Sequence, residues 1–106
     1  MKYSYDAVIV GLGPSGSRVF QKLSKMGFNV LGIERNEKLA TKPCGEAVPV
    51  ELPPLLNDVK FDDEIIENTI SRATVLDVNG KVKKILDFKE VVGYIINKEA
   101  LLRRLV

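Results

Sequence analysis

The sequence contains no histidine and no tryptophan, and its only cysteine is Cys44. Without histidine there is no His-based catalytic triad and no His-ligated zinc site. A lone cysteine cannot form a disulfide within the chain. Charge of one sign is not in excess either: 16 Lys and Arg stand against 14 Asp and Glu, a formal charge of +2. That balance gives no case for nucleic-acid binding. No apolar run approaches the roughly 20 residues that span a bilayer. Residues Met1 to Asp6 place a charge directly before a short apolar run, unlike a secretory signal. A cytoplasmic location is therefore expected, and it leaves room for contact at a membrane surface. The 106 residues, 45% hydrophobic and 28% charged, suit one globular α/β domain at most.

What is present is a strand–helix–strand pattern. Ala7-Val8-Ile9-Val10 is a continuous apolar run closed by Gly11, as expected of a strand buried on both faces in a parallel sheet. Pro14 suits a first helical turn. Val19, Phe20, Leu23 and Met26 then recur at helical spacing, opposite Arg18, Lys22 and Lys25. Gly27 stands where such a helix stops, and Val30-Leu31-Gly32-Ile33 reads as the second buried strand, ending at Glu34.

Between the first strand and the helix lies Gly11-Leu12-Gly13-Pro14-Ser15-Gly16, a G-x-G-x-x-G match in the context that gives the pattern meaning. Gly11 permits a tight turn, Gly13 lets the backbone approach a pyrophosphate, and Gly16 lets helix and strand pack closely. The phosphates would face free N–H groups at the helix start. Glu34, 23 residues after Gly11, can accept hydrogen bonds from both ribose hydroxyls of an adenosine and would repel a 2′-phosphate. Arg35 beside it could face the phosphates. Alanine or glycine is common four residues after the third glycine, but this chain has Phe20, which implies wider helix–sheet spacing or a ring tilted outward.

Residues 35–54 hold Pro43, Gly45, Pro49, Pro53 and Pro54 and read as a loop. Phe61 to Asn68 reads as a short helix capped by Asp62 or Asp63. Ile70 to Val78 and Lys81 to Phe88 flank Asn79-Gly80, a strong hairpin signal, placing the hairpin at 69–88. A two-residue turn would set Arg72 opposite Asp87 and Thr74 opposite Ile85, with neither face cleanly apolar. Gly93 to Ile96 reads as a strand, and Asn97 as the cap of a helix carrying Leu101, Leu102 and Leu105. The chain stops inside that helix, so the expectation is an incomplete domain, the amino-terminal part of a longer protein.

A dinucleotide site leaves NAD and FAD open. A proline-rich loop and a hairpin after the second strand resemble the FAD domains of the glutathione-reductase and hydroxybenzoate-hydroxylase type, a Rossmann-like βαβ unit with a hairpin insertion. Within that class, Lys42-Pro43-Cys44-Gly45-Glu46-Ala47-Val48 resembles the Pro-Cys-Gly-Glu/Asp loop of the geranylgeranyl reductases, including the digeranylgeranylglycerophospholipid reductases. Gly93-Tyr94-Ile95-Ile96-Asn97-Lys98 is similar to that family's Tyr-x-x-x-Arg segment, with lysine in place of arginine. The resemblance implies FAD held by Gly11, Gly13, Ser15, Gly16, Glu34 and Arg35 at its AMP end. It also implies that Cys44, Gly45, Glu46 and Val48 run past the flavin and that Lys98 supplies a positive charge without the planar fork of arginine.

The implied reaction is reduction of geranylgeranyl carbon–carbon double bonds in an isoprenoid lipid substrate, by hydride from flavin N5 and a proton from elsewhere. Cys44 is the candidate proton donor, since a thiol with a pKa near 8.5 is mostly protonated at neutral pH; a buried, inert cysteine is the alternative. Tyr94 could line a substrate cavity or simply pack in the core. Lys81, Lys83 and Lys84 read as a solvated strand face, conceivably turned to a membrane. Because relatives in this family are about four times longer, these 106 residues are expected to bind FAD weakly or not at all and to turn over nothing. Strand edges left exposed would favour dimer pairing. Two further functions stay open, a flavin monooxygenase and a nucleotide-binding module without chemistry.

Overall fold

The computed structural model describes residues 4–106. Two compact units emerge, the described residues up to Cys44 together with Lys98–Val106, and Gly45–Asn97. The architecture is mixed α/β.

The first unit is built on a strand–helix–strand motif: β1 (Ala7–Val10), α1 (Pro14–Lys25) and β2 (Val30–Ile33). β1 and β2 pair in parallel, Ala7 with Val30 through Val10 with Ile33. Asp6 ties the start of the pair to Asn29, whose N–H donates to Asp6 Oδ2 at 2.7 Å. α1 ends where the sequence places the stop, at Met26, and Gly27 follows with φ +91°. Phe28 N–H donates to the Leu23 carbonyl and Gly27 N–H to that of Ser24, both at 3.1 Å. This is a Schellman closure, in which the left-handed glycine turns the chain back so that the last carbonyls find donors.

The strands are not covered on both faces, as the apolar runs suggest. Along β1, Val8 is 51% and Val10 80% exposed, and in β2 Ile33 is 47% exposed. Strand side chains alternate, so α1 covers the face of Ile9 and Gly32 while Val8, Val10 and Ile33 share the open one. The helix lies close at its start. A Cβ built on Gly16 falls 1.9 Å from the Gly11 carbonyl oxygen and 3.3 Å from Ile9 Cγ2. Further along, Phe20 needs no wider spacing. Its ring shares with the Leu12 side chain the space that a side chain on Gly32 would fill, with Phe20 Cδ2 3.2 Å and both Leu12 methyl carbons 3.1 Å from a Cβ built there. A large residue on the helix is thus matched by the smallest on the strand. α3 (Lys98–Leu105) packs on α1 and buries Leu101, Leu102 and Leu105.

The second unit holds β3 (Ala47–Pro49), the single turn α2 (Leu52–Leu55), β4 (Ile66–Ile70), β5 (Arg72–Leu76), β6 (Val82–Asp87) and β7 (Gly93–Ile96). β7 lies between β3 and β4 in an antiparallel sheet. The stretch 35–54 is therefore not loop throughout. Gly93 permits the close approach of β3, because a Cβ there would stand 2.8 Å from the Val48 carbonyl oxygen.

Phe61 to Asn68 is not a helix. Asp62 carbonyl accepts from Ile65 and Ile66 N–H, making one turn, and the chain then leaves as β4 with Ile65 fully buried. The pairing of Ile66 to Ile70 with β7 outweighs the local helical preference.

Among the described residues, β5 and β6 pair only with each other. The register expected from a two-residue turn holds away from the tip, with Arg72 opposite Asp87 and Thr74 opposite Ile85. At the tip it shifts by one, Leu76 facing Val82, with the irregularity at Val75/Leu76. The turn has three residues instead of two. Asp77 N–H donates to the Lys81 carbonyl at 2.8 Å, Gly80 N–H donates to the Asp77 carbonyl at 3.0 Å, and Gly80 has φ +81°. Asp77 Oδ1 accepts from the N–H groups of both Asn79 and Lys81 at 2.9 Å. That aspartate anchor favours a type I turn closed by a left-handed glycine over the tighter alternative.

Candidate nucleotide-binding cleft

The cleft grows from the turn between β1 and α1. Gly11 takes φ +92°, open to glycine and strained for other residues, and its N–H donates to the Ile33 carbonyl at 2.7 Å. Ser17, fully buried, braces the turn from the helix side by donating its hydroxyl to the Leu12 carbonyl at 2.8 Å. Nothing in the glycine pattern points to Ser17; only its place one residue past Gly16 hints at it. Gly13 is the N-cap and contributes no side-chain cap, and Pro14 has no N–H to offer. A Cβ on Gly13 would meet nothing within 4 Å, so this stretch of backbone stands bare toward the cleft. First-turn N–H groups have no intrahelical acceptor, and Ser15 and Gly16 carry them here.

Glu34 follows β2 directly. Its Oε1 accepts the Leu12 N–H at 3.1 Å and its Oε2 the Asn36 N–H at 2.8 Å. The Asn36 N–H foremost, then the Leu12 N–H, with a smaller contribution from the Arg35 charge, hold this carboxyl below its ordinary range against a small opposing effect of burial. The carboxylate is thus ionised and fixed across the glycine turn. An ionised carboxylate has about four acceptor positions, more than these backbone donors use. Asn36 Nδ2 donates to Thr41 Oγ1 at 3.0 Å, folding the following loop back on itself, with Ala40 at φ +62°.

The resulting cleft has a volume of about 460 Å³. Leu12, Gly13 and Pro14 form one side, Glu34 stands in it, and Arg35, Lys38, Lys42 and Lys98 surround it. Four cations against one acid make it a site for a polyanion. A second hollow, about 390 Å³, lies at Val10, Gly11 and Ile33 and is also bordered by Glu34 and Arg35. Two concavities therefore flank one fixed carboxylate.

The structure brings together Gly11, Gly13, Glu34, Arg35 and Lys98 of the expected site residues, with Ser15 and Gly16 in the first turn of α1. Cys44 is exposed among the described residues. Gly45, Glu46 and Val48 lie in the second unit. A Cβ on Gly45 would meet nothing within 4 Å. Glu46 has φ +59° and its carbonyl accepts the Ile96 N–H at 2.8 Å. Val48 lies in β3 opposite Tyr94, and both are half-buried. Lys38 and Lys42, absent from the expected set, are found only when the loop is seen folded, since two lysines in a loop carry no motif. Among the described residues no cluster of three metal-ligating side chains occurs, and no helix is long and apolar enough to cross a membrane.

No protein-family profile matches the chain. Individual proteins do. A digeranylgeranylglycerophospholipid reductase from Methanococcoides burtonii is 30% identical over 108 aligned positions, covering all of this chain and 26% of that protein. The chain is homologous to geranylgeranyl reductases. The geranylgeranyl diphosphate reductase of Rhodobacter capsulatus is 32% identical over 73% of the chain and 18% of its own length. The crystal structure of a geranylgeranyl bacteriochlorophyll reductase-like protein from Thermoplasma acidophilum superposes with a TM-score of 0.77 at 28% identity, over 95% of this chain and 26% of that one. This homologue of geranylgeranyl reductases thus spans about a quarter of the length of the relatives it matches.

Proposed function

We propose that this chain binds the adenosine and pyrophosphate of FAD and forms the nucleotide-binding portion of a flavin-dependent reductase. Its substrate would be the carbon–carbon double bonds of geranylgeranyl chains in lipid precursors. The observation that carries the nucleotide assignment is the carboxylate of Glu34, pinned by two backbone N–H groups beside a bare glycine turn. The substrate class rests on the relatives, whose names describe geranylgeranyl reductases.

The residues fit the cofactor. Gly13 leaves room for a pyrophosphate where any Cβ would protrude, and the first-turn N–H groups at Ser15 and Gly16 would donate to its oxygens. The acceptor capacity left on Glu34 can take hydrogen bonds from ribose hydroxyls. Arg35, Lys38, Lys42 and Lys98 offset the diphosphate charge. Bound FAD would supply the hydride from its N5. An isolated alkene accepts hydride only with concurrent protonation, and the exposed thiol of Cys44 is the proposed source of that proton. Peripheral contact with a membrane follows from a lipid substrate.

Titration of the 106-residue chain with FAD, followed by flavin fluorescence, tests the site. Weak binding is expected, competed by ADP because the adenosine half carries the contacts, and abolished by Glu34→Ala. Equal or tighter binding of NAD, or FAD binding indifferent to Glu34→Ala, would overturn the assignment. The chemistry is tested separately: Cys44→Ala in the flavin-loaded reductase is expected to slow alkene reduction with FAD still bound. Unchanged turnover would sink the proton-donor role.

A further inference from the structure

Leu12 stands between Gly11 and Gly13, neighbours whose backbones resist rotation least. Its peptide groups therefore take their direction from outside contacts, and three are present. The Leu12 N–H donates to Glu34 Oε1 at 3.1 Å. Its side chain lies over Gly32, both methyl carbons 3.1 Å from a Cβ built there. Its carbonyl accepts the Ser17 hydroxyl at 2.8 Å. Ser17 also donates its N–H to the Gly13 carbonyl at 2.9 Å, so one helical residue holds two consecutive carbonyls of the turn. Leu12, Ser17, Gly32 and Glu34 all belong to the first unit. Ser17 is fully buried. Alanine is the better helix former, and burying a hydroxyl is costly unless it is bonded. The partner of this hydroxyl is the turn.

We propose that Ser17 is a positioning residue of the nucleotide site: through the Leu12 backbone it holds in place the N–H that fixes the Glu34 carboxylate. This rests on the reading of Glu34 as the ribose acceptor. Removing the hydroxyl takes this donor from the Leu12 carbonyl, and the peptide joining Leu12 to Gly13 is then freer to rotate. Peptides are planar, so rotation is taken up at the Cα atoms between them. The preceding peptide, which shares the Leu12 Cα, turns with it and carries the Leu12 N–H away from Oε1. Glu34 keeps its second anchor, the Asn36 N–H at 2.8 Å, and so stays in the cleft with one oxygen no longer held. Ser17 itself offers no surface to a ligand and acts through Leu12.

Amide hydrogen exchange and ADP binding of the 106-residue chain test it, with Ser17→Ala, Glu34→Gln and the double variant. Ser17→Ala should speed exchange of the Leu12 N–H about fivefold, the loss expected for one hydrogen bond. The Gly11 N–H, bonded to the Ile33 carbonyl at 2.7 Å, should exchange as before. A serine that only stabilises the fold would loosen both amides together. Ser17→Ala should also lower ADP affinity about fivefold and leave that for 2′,3′-dideoxy-ADP, which lacks the ribose hydroxyls, nearly unchanged. Added to Glu34→Gln, it should lower ADP affinity no further. Ser17→Ala removes one oxygen and keeps the Cβ, so the circular dichroism spectrum should not change; an unfolded variant would make the hydroxyl a requirement of the fold and overturn the proposal. Unchanged Leu12 exchange, equal acceleration at Gly11, or a loss of ADP affinity that persists in Glu34→Gln overturns it as well. If Glu34→Gln alone binds ADP as the wild type does, the ribose assignment of Glu34 fails instead, and Leu12 exchange still decides whether Ser17 holds this contact.

Discussion

Replacing Gly16 and Gly13 by alanine, one at a time, separates the two jobs of the glycine turn. The Cβ of Gly16→Ala would sit 1.9 Å from the Gly11 carbonyl oxygen, whereas ordinary contact begins at 3.4 Å. The obstacle is backbone, so α1 must move off β1 by more than 1 Å, breaking the Ile9 contact. Overpacking of this kind costs about 3 kcal/mol at the upper end of the usual range. Alanine recovers about 1 kcal/mol as the better helix former. The net loss is about 2 kcal/mol, a fall in thermal midpoint of roughly 8–16 °C for a domain of this size. At Gly13 an added Cβ meets nothing, and φ is −72°. Gly13→Ala should change stability by less than about 1 kcal/mol, yet obstruct the pyrophosphate and lower FAD affinity at least about tenfold, or about 1.4 kcal/mol. Thermal unfolding followed by circular dichroism and FAD titration, run on both variants, give the double dissociation. A Gly16→Ala protein as stable as the parent would refute the packing argument. A Gly13→Ala protein with full FAD affinity would refute the placement of the phosphates.

Three further outcomes follow from the same geometry. Glu34 has a folded pKa below its ordinary 4.5, so its contribution is complete above that value and is lost as pH falls through the folded one; FAD affinity should stay level from about pH 8 to 5.5 and drop below about 4.5, and a drop of equal shape in Glu34→Gln would sink the assignment to this group. Phe20→Ala should cost about 2 kcal/mol, less than for a fully buried ring because Phe20 is half-buried, and Gly32→Ala, which crowds both Leu12 and Phe20, should cost at least about 0.5 kcal/mol less in that background in a double-mutant cycle; strict additivity would show that Leu12 alone limits the space at Gly32. Gly80→Ala should lower stability in urea by about 1 kcal/mol through its φ of +81°, and no change would contradict the three-residue turn.

The glycine turn and α1 were legible because each depends on residues close in sequence, with glycine, proline and a stop signal marking their limits, and Glu34 was legible from its fixed spacing at the end of the second strand. Phe20 was legible as an oddity, but its partner Gly32 lies across the helix–sheet interface, where one-dimensional spacing does not reach. Phe61 to Asn68 was misread because Phe61, Ile65 and Ile66 fit a helix as well as a strand, and only pairing with β7 decides. The hairpin was legible in its base register but not at its tip, where the Asp77 side chain competes with the tighter turn. Of the two faces of β1, the one carrying Ile9 finds its neighbour, α1, within this chain, and the other is open in it. Lys38 and Lys42 entered the cleft only through the fold of the loop after Glu34.

The order in which these parts can form also follows from the connections. Closing β5 on β6 spans a three-residue turn, a microsecond event. Joining β1 to β2 needs the intervening α1 first, and the entropy of the longer loop must be spent before any strand contact repays it. Glu34 meets Leu12 only once that crossover has closed. The cleft should therefore be absent from early folding intermediates, and added nucleotide should slow unfolding of the finished chain more than it speeds folding of the coil.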